Sequence, residues 1–337
     1  FWRKRLRCDR PANVDESLVS RLLAVAWPDH IARRREGSDL QYLLANGMAA
    51  ELDSASPLRG SDFLVVVDLH GRSRSQVKIS AAVSLASADF EELYGSGIEW
   101  QKEVEWDETQ QRVMAQEVRR HGALVLQSRP AKAEIDDTRT ALLGWIAKKG
   151  LAVLPWEKES ERLRERLSFF AGQVKGSIPG FDDDALLADL ADWLGPYLDN
   201  IRSVAQLKKI DLKQSLLARL DWQARQKLDE LAPERIEVPS GSRVRIDYSG
   251  DQPVLAVKLQ ELFGLAESPR LAGGRVPVLI HLLSPAGRPL QVTADLKSFW
   301  ENGYPEVKKE MKGRYPKHPW PDDPWNAEPT RRTKRKR

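Results

Sequence analysis

The sequence predicts an α+β multidomain fold with an OB-like antiparallel β-barrel, a helical bundle and a small α+β carboxy-terminal module. Three observations lead there. Between residues 37 and 130, five or six short alternating or apolar runs are separated by turn residues, the pattern of a small barrel. Residues 134–232 carry their apolar positions at helical spacing instead. After Pro233 short alternating runs return, and a proline-rich stretch follows them.

The elements follow in order. In DESLVSRLLAVA, residues 15–26, Leu18, Leu22, Leu23 and Ala26 share a helical face, and Trp27-Pro28 ends the helix. YLLANGMAAEL has two apolar runs around Asn46-Gly47, a strong hairpin signal. FLVVVDL, residues 63–69, reads as a buried strand, and QVKISAAV, residues 76–83, alternates. A short helix is expected near 87–94. Residues 98–106 place Ile98, Trp100, Val104 and Trp106 on one face and Glu99, Gln101, Glu103 and Glu105 on the other. Two more strands, 111–119 and 122–128, meet at His121-Gly122. Helices are predicted at 134–149, 157–172, 183–194, 211–220 and 222–232. Strands follow within 235–248, at 276–283 and at 289–293, with short helices at 257–263 and 304–312. The expected organisation is a basic helical segment at 1–36, the barrel at 37–130, the helical region at 134–232, the terminal module at 233–325 and a basic tail at 326–337.

Composition narrows the function. With 337 residues and 41% hydrophobic content, two or three cores can form. No window approaches the roughly 18 consecutive apolar residues of a membrane span. One cysteine, Cys8, excludes an intramolecular disulfide and a Cys-based zinc site. Together with the absence of an apolar leader after the basic start, it points to a cytoplasmic protein. The first residue is Phe, so the expectation is a piece of something longer.

No catalytic residue is assigned. Gly-Lys never occurs, so no Walker loop can cradle a triphosphate. No Asp-Glu is followed at the second position by His or Asp, and there is no G-x-S-x-G elbow. Histidines 30, 70, 121, 281 and 318 lack metal-ligand spacing, and no metal or cofactor is expected in this chain.

What remains is basic and aromatic. The net charge is only +4, but the cations cluster in 1–10, in Arg33, Arg34 and Arg35, and in RRTKRKR at 331–337. The arginine triplet, placed just before a strand at a barrel lip, suits bidentate phosphate contact; it equally suits a solvated helix end. Tyr42 is either a stacking platform for a base or a core residue. Arg72 and Arg74, in LHGRSRSQ, are a basic loop beside that barrel or a plain exposed one. Near the end, Arg314, Lys317 and His318 could meet a polyanion, while Tyr315 and Trp320 pack a structural clasp around WPDDP.

WPDHIARRR with YLLANG, and KEMKGRYPKHPWPDDP followed by PTRRTK, resemble the carboxy-terminal part of the bacterial HrpB-type ATP-dependent helicases of the DEAH (DExH-box) class. The resemblance covers about residues 15 to 333. It implies an upstream motor using ATP and Mg, a barrel helping to line a channel for single-stranded RNA or DNA, and docking against the upstream helicase domains. On a nucleic-acid-binding reading, Arg33, Arg34, Arg35, Arg72 and Arg74 are expected to contact phosphate and Tyr42 to stack. The alternative is a docking module whose helices and clasp recruit another protein to the helicase.

Overall fold

The computed structural model describes residues 5, 15–71, 77–174, 176 and 178–332. Arg72, Arg74, Cys8 and most of the two terminal basic runs lie outside the described residues. The chain forms two compact units, residues 1–109 with 113–137, and residues 110–112 with 138–337. Among the described residues, no helix is long and apolar enough to cross a membrane.

The first unit opens with α1, Glu16–Ala26, capped by the Asp15 carboxylate accepting from Ser17 N at 3.0 Å. Five strands then close into a barrel: β1 (Ile31–Arg34), β2 (Gln41–Leu44), β3 (Ala49–Leu52), β4 (Phe63–His70) and β5 (Lys78–Leu85), in the order β1-β2-β3-β5-β4. The β2–β3 hairpin turns at Asn46-Gly47 as expected. Gly47 adopts φ +86°, which a β-carbon would strain, and the Asn46 side chain accepts from Met48 N at 3.0 Å. One barrel pair, β3 with β5, is parallel, so the barrel is not purely antiparallel. Its interior is apolar, with Ala32, Leu44, Leu64 and Val66 fully buried in one cluster, while Ile31 and Val65 face the other way and pack with Ala24 and Phe90.

The barrel begins at Ile31 and ends at Leu85, not at 37 and 130. Two apolar residues, Ile31 and Ala32, are too few for strand β1 to stand out in the sequence. After helix α2, Ser87–Tyr94, strands β6 (Trp100–Asp107), β7 (Arg112–His121) and β8 (Leu124–Pro130) form a separate three-stranded sheet. These strands are rich in charge, and β6 buries no residue fully, so they lack the apolar material to close a barrel. Phe90 of α2 stacks on Phe63 at 4.6 Å. Gly122, at φ +56°, lets the β7–β8 turn press against the Ala45 carbonyl, which accepts from Ala123 N at 2.7 Å.

In the second unit, helices α3 (Ile135–Lys149) and α4 (Lys158–Gln173) precede four short helices: α5 (Asp183–Ala188), α6 (Leu190–Trp193), α7 (Val204–Leu207) and α8 (Leu212–Ala218). Helix α9, Trp222–Leu231, follows. The predicted helix at 183–194 is therefore two, broken at Asp189, whose carboxylate pairs with Arg219 at 3.0 Å. A five-stranded sheet comes next, in the order β15-β14-β11-β10-β9: β9 (Arg235–Glu237), β10 (Arg243–Asp247), β11 (Val254–Lys258), β14 (Leu279–Leu283) and β15 (Pro289–Thr293). The tiny pair β12 (Arg270–Leu271) and β13 (Val276–Pro277) stands apart. The expected helix at 257–263 shrinks to one 3-10 turn, Leu259–Leu262. Leu255 and Val257 alternate inward on β11, which pairs in parallel with β14.

No boundary separates 232 from 233. Arg166 of α4 donates to the Ala232 carbonyl at 2.6 Å, and Phe169 packs on Tyr248 at 5.0 Å. The helices and the terminal sheet share one core. The last helix, α11 (Tyr304–Arg314), comes after a short α10 (Leu296–Ser298) and a π turn, Phe299–Gly303.

Candidate nucleic-acid interface

A cleft of about 670 Å³ opens on the barrel unit, lined by Arg33, Arg34 and Arg35 with Asp62, Phe63 and Val125 among its walls. Arg33 and Arg34 lie within β1, not before it, and Arg35 directly follows it. Pleating sends neighbouring side chains to opposite faces, so three consecutive arginines do not act alike.

Arg33 is half-buried, and its guanidinium donates to the Val125 carbonyl and, at 3.2 Å, to the Leu126 carbonyl of β8. Arg34 pairs with Asp62 at 3.1 Å and with Asp39 at 3.4 Å. Arg35 is exposed, and its side chain has no partner among the described residues. Of the triplet it is the fork available to a phosphate without first breaking a contact.

Tyr42 is a correction. Its ring is fully buried inside the barrel, and its hydroxyl donates to the Ser61 carbonyl at 2.9 Å. Burial pushes the hydroxyl pKa up. Tyr42 faces the core because it occupies the alternate position of β2 that also buries Leu44. A ring with no free face offers a base no stacking platform.

The carboxy-terminal residues separate into two kinds. Trp320 is buried and donates from Nε1 to the Tyr315 carbonyl at 3.0 Å. The Tyr304 hydroxyl donates to Pro321 O at 2.9 Å, and the Trp300 Nε1 to Leu265 O at 2.8 Å, so this clasp is a packed structural element. Lys308 pairs with Asp322 and holds its carboxyl below the usual range. Tyr315 is half-buried against the His318 ring, in a T-shaped contact at 6.2 Å. Arg314 and Lys317 are exposed, with Arg314 loosely paired to Glu310 at 3.8 Å. Burial, then the charge of Lys258, holds the His318 imidazole below its usual range.

Sequence reasoning missed the charged three-stranded sheet as a surface in its own right. Arg120 binds Glu103 through Nε at 2.5 Å and lowers its pKa, while Arg129 lies over the Trp100 ring, 4.3 Å from its centroid. Trp100, which the alternation of 98–106 places on the apolar face, stays 38% exposed. Among the described residues, no group of three or more His, Cys, Asp or Glu is arranged to hold a metal ion.

Comparison with known proteins gives the class of the chain. Residues 193–324 match the family described as ATP-dependent helicase C-terminal. Residues 97–131, which contain the three-stranded sheet, match the connector region of the ATP-dependent RNA helicase HrpB. The chain thus carries a helicase carboxy-terminal region. Over these segments it is similar to the carboxy-terminal part of HrpB-type helicases. The ATP-dependent RNA helicase HrpB of Escherichia coli K12 is 44% identical over 336 residues, 98% of this chain. The chain spans 41% of that relative's length. The solved E. coli DExH-box NTPase HrpB is similar over 98% of this chain and 41% of its own, at 44% identity and a TM-score of 0.60. The E. coli DEAH/RHA helicase HrpB matches over 94% of this chain and 40% of its own, at 41% identity and a TM-score of 0.53.

Proposed function

We propose that this region is a nucleic-acid-binding accessory part of a cytoplasmic ATP-dependent helicase. ATP and Mg are bound and turned over elsewhere in the longer protein. The closed barrel acts as an OB-type module beside the path of a single strand of RNA or DNA, and it docks on the upstream helicase domains. The observation that carries this reading is the arginine-lined cleft on the barrel, in a chain similar to HrpB-type helicases. Arg35 supplies the phosphate contact, with Arg34 recruited from its carboxylate partners when a strand is present. Arg72 and Arg74, which lie outside the described residues, are assigned phosphate contact as well. Arg314 and Lys317 are a secondary polyanion contact, whereas burial and then the charge of Lys258 hold His318 toward its neutral form. Because phosphates carry no sequence information, affinity for unrelated single strands should be similar.

Fluorescence-anisotropy titrations with two unrelated labelled single strands and their duplexes test this. Comparable binding of both single strands, tighter than the duplexes, is expected. No binding of either strand at low salt would overturn it.

A second reading, a docking module for another protein, is favoured by one feature of the helical region. A groove of about 500 Å³ is lined by Pro179, Trp193, Pro196 and Tyr197, a surface suited to a peptide. Unimpaired partner capture by a Tyr197→Asp variant would count against it.

A further inference from the structure

Trp100 and Arg129 form a surface that the barrel cleft does not include. Trp100 opens strand β6, and Arg129 stands near the end of β8. A tryptophan on a charged sheet is expected to bury its ring, yet this one remains 38% exposed. The Arg129 guanidinium lies over one face of the ring, 4.3 Å from its centroid, an arrangement that orients the indole.

The guanidinium is itself held from one side. Arg129 Nε donates to Glu117 on β7 at 2.6 Å, and Glu117 faces Arg129 directly in the β7–β8 register. Among the described residues no acceptor takes its two Nη groups, and the side chain is 56% exposed. Glu117 thus fixes the fork by its inner nitrogen and leaves the outer pair available. Lys102, two residues along β6 from Trp100, adds a second cation, paired with Asp137 at 2.8 Å.

An exposed indole flanked by an anchored guanidinium is the combination that single-strand-binding surfaces use. The ring accepts the face of any base, and the cation meets the phosphate next to it. We propose that Trp100 is a stacking platform for one nucleobase of a single strand and that Arg129 contacts the adjoining phosphate, an inference that rests on the single-strand reading above. It moves the aromatic role assigned to Tyr42 from the buried barrel interior to the exposed connector sheet. The alternative, a cation–π staple that only holds β6 to β8, makes different demands on the variants below.

The test is equilibrium titration of the whole chain with a labelled single-stranded RNA oligonucleotide at several salt concentrations, with a thermal melt of each variant. Trp100→Leu keeps apolar bulk but removes the ring, and Trp100→Phe keeps a ring. Trp100→Leu should weaken binding roughly 5- to 150-fold, from the usual worth of one stacked base, without changing the salt slope. Trp100→Phe should stay close to the wild type. Arg129→Gln should flatten the slope by about 0.7. If the wild type binds and Trp100→Leu binds equally well, this inference fails and the barrel reading survives. If Trp100→Leu lowers the melting temperature while binding at its remaining folded concentration is unchanged, the staple is the correct account. If the wild type binds no strand even at low salt, both readings fall together.

Discussion

The Arg33 guanidinium donates to the Leu126 carbonyl, 3.2 Å away, tying the first barrel strand to the last strand of the connector sheet. A charged donor serving main-chain acceptors contributes to stability instead of waiting for a ligand. Arg33→Ala is expected to destabilise the protein by about 1.5–3 kcal/mol, the usual worth of a hydrogen bond to a charged group. Arg35→Ala should leave the urea midpoint where it is. An unchanged midpoint for Arg33→Ala would show that the contact carries no stability.

Tyr42 separates core from site in the same way. Tyr42→Phe removes only the bond to the Ser61 carbonyl and should cost about 0.5–1.5 kcal/mol. Tyr42→Ala should cost about 3–5 kcal/mol, as for other buried aromatics. Neither should alter strand affinity in the folded fraction, which chemical denaturation and anisotropy together measure. A selective loss of affinity in Tyr42→Phe would restore the ring to the site.

The clasp predicts its own hierarchy. Trp320→Ala removes a buried indole and should cost about 3–5 kcal/mol. Trp320→Phe keeps most of the packing and loses the Nε1 donation to Tyr315, so it should cost roughly 1 kcal/mol for that bond plus a smaller packing loss. Equal midpoints for wild type and Trp320→Ala would contradict a packed clasp.

These contrasts mark what the sequence could disclose. The hairpin at Asn46-Gly47 and the strand FLVVVDL were legible because turn chemistry and apolar runs are local. Strand β1 was not, because two apolar residues before three arginines carry no periodicity. The different fates of Arg33, Arg34 and Arg35 were also hidden. Leu126 lies 93 residues from Arg33, and Asp62 lies 28 from Arg34. Only folding decides which fork is occupied. The exposure of Trp100 was hidden for a related reason, since alternation identifies two faces of a strand but not whether either meets a core.

His318 makes the clasp pH-sensitive. Its native pKa is depressed by burial and then by Lys258, so the unfolded chain takes up this proton first as pH falls. The stabilising contribution is complete above the ordinary imidazole value of about 6.5 and is lost as pH falls through the lower native value. Wild-type melting temperature should therefore drop between about pH 7.5 and about pH 5.5 by more than that of His318→Asn. Parallel profiles for the two proteins would remove His318 from the account.

On the proposed function, single strands are held through phosphate contacts at the barrel cleft. This is tested most directly by the salt dependence of single-stranded RNA binding for wild type and Arg35→Ala. Log affinity should fall linearly with log salt, with a slope flatter by about 0.7 in Arg35→Ala and the urea midpoint unchanged. An identical slope in the two proteins, or no binding by the wild type at low salt, would contradict it.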